Sequence, residues 1–174
     1  MDKFKHLEKK EVFKNNHITV FSEKLQLPNE KVVEWTFTDK KEAVGIVAAF
    51  EDNSVLMVKQ YRPAVKMVTM EIPAGLVEPG EAPEKAALRE LEEETGYRAE
   101  KIEKMCEFYS SPGVSAGKFY IYYAENLVKT QQNLDEDEFL EVERIPLEKI
   151  ETTSLFDAKS MLAIDFAKQR KKIN

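Results

Sequence analysis

The sequence predicts an α/β fold, a sheet covered by helices, with a small antiparallel sheet ahead of it. Three observations predict this class. Short apolar or alternating runs bounded by turn residues recur along the chain. A helix signal from Pro83 to Thr95 interrupts them near the middle, and a second from Leu155 to Lys171 closes the chain.

Asn16 to Phe21 and Lys31 to Phe37 read as two strands, joined by the turn Leu27-Pro28-Asn29-Glu30. Thr38-Asp39-Lys40-Lys41 breaks the pattern, so residues 1–42 are expected to form a sheet subdomain apart from residues 43–174. Val44 to Phe50 is a nearly continuous apolar run, as in a strand buried on both faces. Glu51 to Ser54 is a turn, and Val55 to Tyr61 returns as a second strand, which predicts a hairpin. Arg62-Pro63 ends that strand because proline has no amide hydrogen for the ladder. Thr69 to Ile72 is a short strand, and Pro73-Ala74-Gly75 turns out of it.

Pro83 suits the first turn of the central helix, Ala87, Leu88 and Leu91 form its apolar face, and Gly96 stops it. Strands follow near Lys101 to Tyr109, Lys118 to Ala124 and Phe139 to Arg144, and Pro146 opens a short helical turn. In the closing helix, Leu162, Phe166 and Met161 are expected to face the core. No internal repeat or low-complexity linker is visible.

Composition narrows the function. The 174 residues are 43% hydrophobic and 33% charged, the balance of a globular protein and not of a disordered one. The net charge of −6 argues against general nucleic-acid binding. No apolar run approaches the roughly 18 residues of a membrane span. The N-terminus lacks the apolar stretch of a secretory signal, and the single Cys106 cannot form an intrachain disulfide, so a cytoplasmic protein is expected. Lys168 to Lys172 reads as the basic end of a helix, and His6 and His17 are isolated.

The chemistry concentrates on the central helix. Glu90 and Glu94 are four apart and share one face, with Glu93 beside them. Like charges so placed repel by a few tenths of a kcal/mol, on the order of 0.3. A hard divalent cation reverses the sign, and magnesium favours carboxylate oxygen. The competing reading is a solvated acidic face. Against it, these glutamates reach the C-terminal half, where the helix dipole disfavours them, Arg89 stands beside them, and Gly75 and Gly80 flank a tight loop before the helix.

Gly75, five residues, Glu81, seven residues, then Arg89-Glu90-Leu91-Glu92-Glu93-Glu94-Thr95-Gly96-Tyr97 resembles the motif of the Nudix hydrolases at every fixed position, with Tyr97 where an aliphatic residue is commoner. The resemblance implies the Nudix fold, an α/β/α sandwich around a mixed sheet. It implies magnesium, with manganese as a substitute, held by Glu90, Glu94 and the Ala74 carbonyl. Glu93 is then a further ligand or a water-orienting carboxylate. Glu81 supports the loop, and Arg89 holds the carboxylates.

Beyond the motif, Pro112 stands sixteen residues after Gly96 in Tyr109-Ser110-Ser111-Pro112-Gly113, which resembles a loop of the ADP-ribose pyrophosphatase subfamily. Pro112 and Gly113 are accordingly expected near substrate, although Ser-Ser-Pro-Gly is also an ordinary turn. Gln60-Tyr61-Arg62 and Glu71 to Gly75 are similar to the same subfamily, which implies that Arg62 contacts a diphosphate. Glu71 binds substrate hydroxyls or pairs with Arg62 or Arg89. In Leu134 to Leu140, Glu136 resembles the subfamily's catalytic base and Glu138 a metal-associated glutamate, against the reading of a solvated acidic loop. If extended, that segment points both the same way.

The N-terminal residues resemble the small sheet that related pyrophosphatases exchange across a homodimer and use to bind adenosine. Trp35 then stacks on adenine, or simply packs within the sheet, with Phe21 and Phe37 as secondary candidates. The implied reaction is hydrolysis of ADP-ribose to AMP and ribose 5-phosphate. GDP-mannose or another nucleotide sugar is the alternative substrate, and nucleotide sensing without cleavage the alternative role.

Overall fold

Strand β1 spans Lys5–Lys14, a segment rich in lysine and glutamate and exposed along its whole length. Hydrophobic alternation does not reveal it, because neither of its faces is buried. β1 pairs antiparallel with β2 (Thr19–Gln26), which pairs antiparallel with β3 (Val32–Asp39). The β2–β3 turn is held by Leu27 N–H to Lys31 O at 2.8 Å, with Glu30 at φ 65°.

The chain divides into two compact units in this computed structural model: Met1–Glu42 with Phe108–Lys118, and Ala43–Glu107 with Phe119–Asn174. The structure describes residues 3–16, 18–39, 41–136 and 138–172. His17, Lys40 and Asp137, which fall in segments read above, lie outside the described residues.

The second unit is α/β, as predicted. A mixed sheet runs in the order β7-β4-β9-β8, formed by Ala74–Leu76, Ala43–Ala48, Lys118–Lys129 and Tyr97–Tyr109. β4 is parallel to β9 and antiparallel to β7. An antiparallel sheet runs β10-β5-β6, formed by Leu140–Pro146, Ser54–Arg62 and Met67–Glu71. The expected hairpin between the runs at 44–50 and 55–61 does not form. Only the bridge Ala49↔Val55 joins them. β4 is already paired on both edges, by β7 and β9, so β5 crosses to the other sheet. The expected turn at Pro73-Ala74-Gly75 is likewise the start of β7, in register with β4 at Gly45↔Ala74 and Val44↔Gly75.

Helix α1 is Pro83–Thr95, ended by Gly96 in the left-handed region at φ 68°. It packs on β4, β7 and β10. Ala86, Ala87 and Leu91 join Val44, Ile46, Ala48, Leu56 and Tyr122 in one buried cluster. Helix α2 is Ala158–Lys171 and packs on β4. Its buried residues are Ser160, Ala163, Ile164 and Ala167, while Met161, Leu162 and Phe166 are only partly buried. The expected core face is therefore corrected: α2 turns Ser160, Ala163, Ile164 and Ala167 to the core, and Met161, Leu162 and Phe166 lie at the flanks of that face. The helix also starts later than Leu155. Asp157 caps it, its carboxylate accepting from the Ser160 N–H at 3.0 Å. Among the described residues no helix is long and apolar enough to cross a membrane.

Candidate active site

Glu90 and Glu94 lie one turn apart on α1 and are both buried, at 9% and 3% exposure. That rules out a solvated acidic face for these two. The Ala74 N–H, at the start of β7, donates to Glu94 Oε2 at 2.9 Å. Burial pushes the Glu94 carboxyl up to about 8, against the pull of the Ala74 amide and with further repulsion from Glu90 and Glu138. Burial raises the Glu90 carboxyl as well, against Arg89 and with Glu93 and Glu138 adding to the rise. Gly75 makes room for this arrangement. A Cβ there would stand 2.0 Å from Glu90 Cδ.

Arg89 spends all five N–H donors on this region. Nε and Nη2 each donate to Glu81 at 3.1 Å, Nη2 also to the Leu76 carbonyl at 3.0 Å, and Nη1 to both Glu90 and Glu93 at 2.9 Å. Glu81 also accepts from the Glu78 N–H at 3.0 Å, so the 76–81 loop is tied to the helix through one carboxylate. The Arg89 guanidinium holds the Glu81 carboxyl below its usual range.

A second ionic group lies at the ends of β5 and β6. Arg62 grips Glu71 with Nε and Nη2, both at 2.7 Å. Glu71 also accepts from Thr69 Oγ1 and from Lys159 Nζ, each at 2.5 Å. Burial alone would raise the Glu71 carboxyl, but Arg62 and then Lys159 and Thr69 outweigh it and hold it at about 2. With four bonds on two oxygens, Glu71 is occupied in holding cations. Arg62 is in the field of Glu94, which links this group to the acidic helix.

The strand-like geometry expected around Glu136 and Glu138 is not found. Glu138 N–H donates to Asp135 O at 3.0 Å, closing a turn. Glu136 is exposed in that turn, whereas Glu138 is half-buried and in the field of Glu90 and Glu94. The preceding segment is anchored on the end of α1. Gln132 Nε2 donates to the Glu94 carbonyl at 2.6 Å, Asn133 N–H to the Glu93 carbonyl at 2.9 Å, and Thr130 N–H to the Gly96 carbonyl at 2.7 Å. These bonds satisfy helix-end carbonyls that otherwise have no partner.

Trp35, Pro112 and Gly113 belong to the first unit. There Thr38 N–H donates to Val114 O at 2.7 Å, fixing the 111–115 loop against β3. A cavity of about 570 Å³ within this unit is lined by Phe21, Phe37, Tyr109 and Pro112, with Lys9 and Asp39 among its charged groups. Trp35 is not in its lining among the described residues. It packs edge-on to Phe37, ring centres 6.4 Å apart, and is 45% exposed.

The donor set suits a hard divalent cation. Two buried carboxylates on one helix face, with a third in their field, are costly to leave charged without a counter-ion. Among the described residues no three acidic side chains are gathered as a finished metal cage. Magnesium, which keeps several waters, does not need a complete protein cage.

Lys159, Asp157, Thr69 and Gln132 carry no motif and sequence reasoning passes them over. The local signal that was available is Asp157-Ala158-Lys159-Ser160, a helix-capping pattern with a lysine in the first turn, where the helix dipole disfavours a cation.

Residues 39–163 match the family model described as the NUDIX domain. The chain is 39% identical over 168 residues to an ADP-ribose pyrophosphatase of Bacillus subtilis (strain 168), covering 93% of this chain and 91% of that one. It is 33% identical over 168 residues to a methanol dehydrogenase activator of Bacillus methanolicus, with the same coverages of 93% and 91%. Among solved structures, an ADP compounds hydrolase superposes with a TM-score of 0.87 at 25% identity, over 99% of this chain and 96% of that one.

Proposed function

The chain belongs to the NUDIX family, and from that premise we propose that it hydrolyses the diphosphate bond of ADP-ribose, releasing AMP and ribose 5-phosphate. The observation that carries the chemistry is the buried Glu90–Glu94 pair on one face of α1, with Arg62 in the field of Glu94. The choice of ADP-ribose is supported by near full-length similarity to the Bacillus subtilis ADP-ribose pyrophosphatase.

In this reading Glu90, Glu94, Glu138 and the Ala74 carbonyl hold magnesium or manganese. When bound, the ion neutralises and polarises the diphosphate oxygens. Arg62, with part of its guanidinium turned outward, binds a phosphate oxygen through donors that Glu71 does not use. Glu71 serves substrate by fixing Arg62. Arg89 keeps Glu90 and Glu93 in place, and Glu93 orients the attacking water. Glu136 takes the proton from that water after its turn closes over the site. Water adds to one phosphorus, the bridging P–O bond breaks, and each product leaves with a phosphate.

We assign nucleoside binding to the first unit. Its cavity, with Phe21, Phe37, Tyr109 and Pro112, suits a purine by stacking, and Gly113 gives the loop close access. Trp35, exposed on the same sheet, is the reserve aromatic. We assign the sheet of residues 1–42 to a homodimer contact as well, consistent with exposed Phe4, Leu7, Val12 and Phe13. The setting of this reading is the cytoplasm.

Incubation with ADP-ribose and magnesium, beside GDP-mannose and other nucleotide sugars, tests it by product analysis. AMP with ribose 5-phosphate, formed fastest from ADP-ribose, is expected. Equal or faster cleavage of GDP-mannose would overturn the substrate, and tight binding without AMP release would overturn the hydrolysis.

A further inference from the structure

Lys159 stands where a lysine is out of place. It lies in the first turn of α2, against the helix dipole, and its side chain is only 13% exposed. Nζ is shared by two carboxylates, Glu71 Oε2 at 2.5 Å and Asp157 Oδ2 at 2.8 Å. Glu71 in turn holds the Arg62 fork. Two cations and two anions thus alternate from α2 to the end of β5 and balance in charge.

The backbone is keyed at the same place. Ser160 Oγ, fully buried, accepts from the Ile72 N–H at 2.8 Å and donates to Asp157 Oδ2 at 2.5 Å. The start of α2 is therefore locked to the residue after Glu71. Lys159 has little freedom to serve any carboxylates but these two.

Asp157 is the element of risk in this group. It already lies in the field of Arg62. Without the Lys159 ammonium it keeps its hydrogen bonds from Ser160 but loses its salt-bridge partner, and Arg62 is a cation whose charge it already feels. An Arg62 turned toward Asp157 presents fewer donors outward.

We propose that Lys159 is a positioning residue for the diphosphate-binding arginine. By neutralising Asp157 and sharing Glu71, it keeps the free donors of Arg62 directed at substrate. The proposal rests on the reading of Arg62 as the diphosphate contact given above.

The test is steady-state kinetics with ADP-ribose and magnesium on Lys159→Met, on the double variant Lys159→Met with Asp157→Asn, and on Arg62→Met, with thermal unfolding of each. Lys159→Met is expected to raise KM about tenfold with kcat changed far less, the signature of lost ground-state binding. The double variant removes the competing carboxylate while Asn still caps α2, and it should recover most of the KM. A purely structural salt bridge predicts the reverse, because the double variant loses two partners and should be no better than the single one. An unchanged KM in Lys159→Met, or a raised KM that Asp157→Asn does not restore, overturns the proposal. If Arg62→Met leaves KM unchanged, the diphosphate assignment of Arg62 fails first. If Arg62→Met raises KM and Lys159→Met does not, only the role of Lys159 fails.

Discussion

The Glu90 carboxylate occupies the space that a side chain at residue 75 would need: a Cβ on Gly75 would come within 2.0 Å of Glu90 Cδ and 2.1 Å of Oε2. Gly75 is in β7 and Glu90 in α1, so this contact sets how closely the acidic helix face meets the strand before it.

Gly75→Ala should therefore act on Glu90 before it acts on the fold. Gly75 does not have positive φ, and the atoms in the way are the far end of a flexible side chain. The Glu90 carboxylate is expected to turn aside, lowering turnover by about 100-fold, the usual scale for an ångström-sized misplacement. Thermal unfolding should change little. A variant with normal turnover would show that the position of Glu90 is not critical.

Glu94→Gln preserves the shape of the buried group and removes the carboxylate that a bound ion would meet. Magnesium should raise the Tm of the parent protein, by about 3 kcal/mol in stability at roughly a hundred times Kd. The Gln variant should lose most of that increment and most of its activity. Titrations of Tm against magnesium for both proteins measure this, and equal increments would remove Glu94 from the ligand set.

Replacing Arg89 by lysine cannot restore its contacts, since an ammonium has three donors and cannot span Glu81, Leu76 O, Glu90 and Glu93 together. A loss of about 1–3 kcal/mol in urea unfolding is expected from the severed charged hydrogen bonds. Activity should fall with it as Glu93 and Glu90 lose their anchor.

Glu71 makes an acid-sensitive contribution to stability. Its carboxyl, at about 2 in the folded protein against 4.5 ordinarily, binds protons more weakly when folded. Stability from this group is fully present above about 4.5 and is lost as pH falls toward 2. Glu71→Gln should cost about 2–3 kcal/mol at neutral pH. The gap between the two proteins should close below pH 4.5. Denaturant melts from pH 7 to pH 3 check this, and a gap independent of pH would contradict it.

The acidic helix was legible because everything that defines it is local. Pro83 starts α1, Gly96 ends it, and Glu90 and Glu94 share a face by helical spacing alone. The spacing of Gly75, Glu81 and Arg89 is likewise local, and Arg89 reaches Glu81 and Leu76 O within the motif itself. The α/β class followed from the order of strand and helix signals. β1 was missed because a strand exposed along its length leaves no periodicity. The hairpin at residues 44–61 was misjudged because adjacency in sequence says nothing of which edges are already taken.

What the sequence determined by itself is the family, the acidic helix and the residue types of the site, since those depend on contacts a few residues apart. The tertiary structure decided that Glu90 and Glu94 are buried and not solvated. It also decided that Glu71 is spent on Arg62 and Lys159, that residues 130–133 cap α1, and that Phe21 and Phe37, not Trp35, line the cavity of the first unit. Glu71 and Lys159 are 88 residues apart, and only folding supplies both the closeness and the low-dielectric surroundings that make their pairing strong.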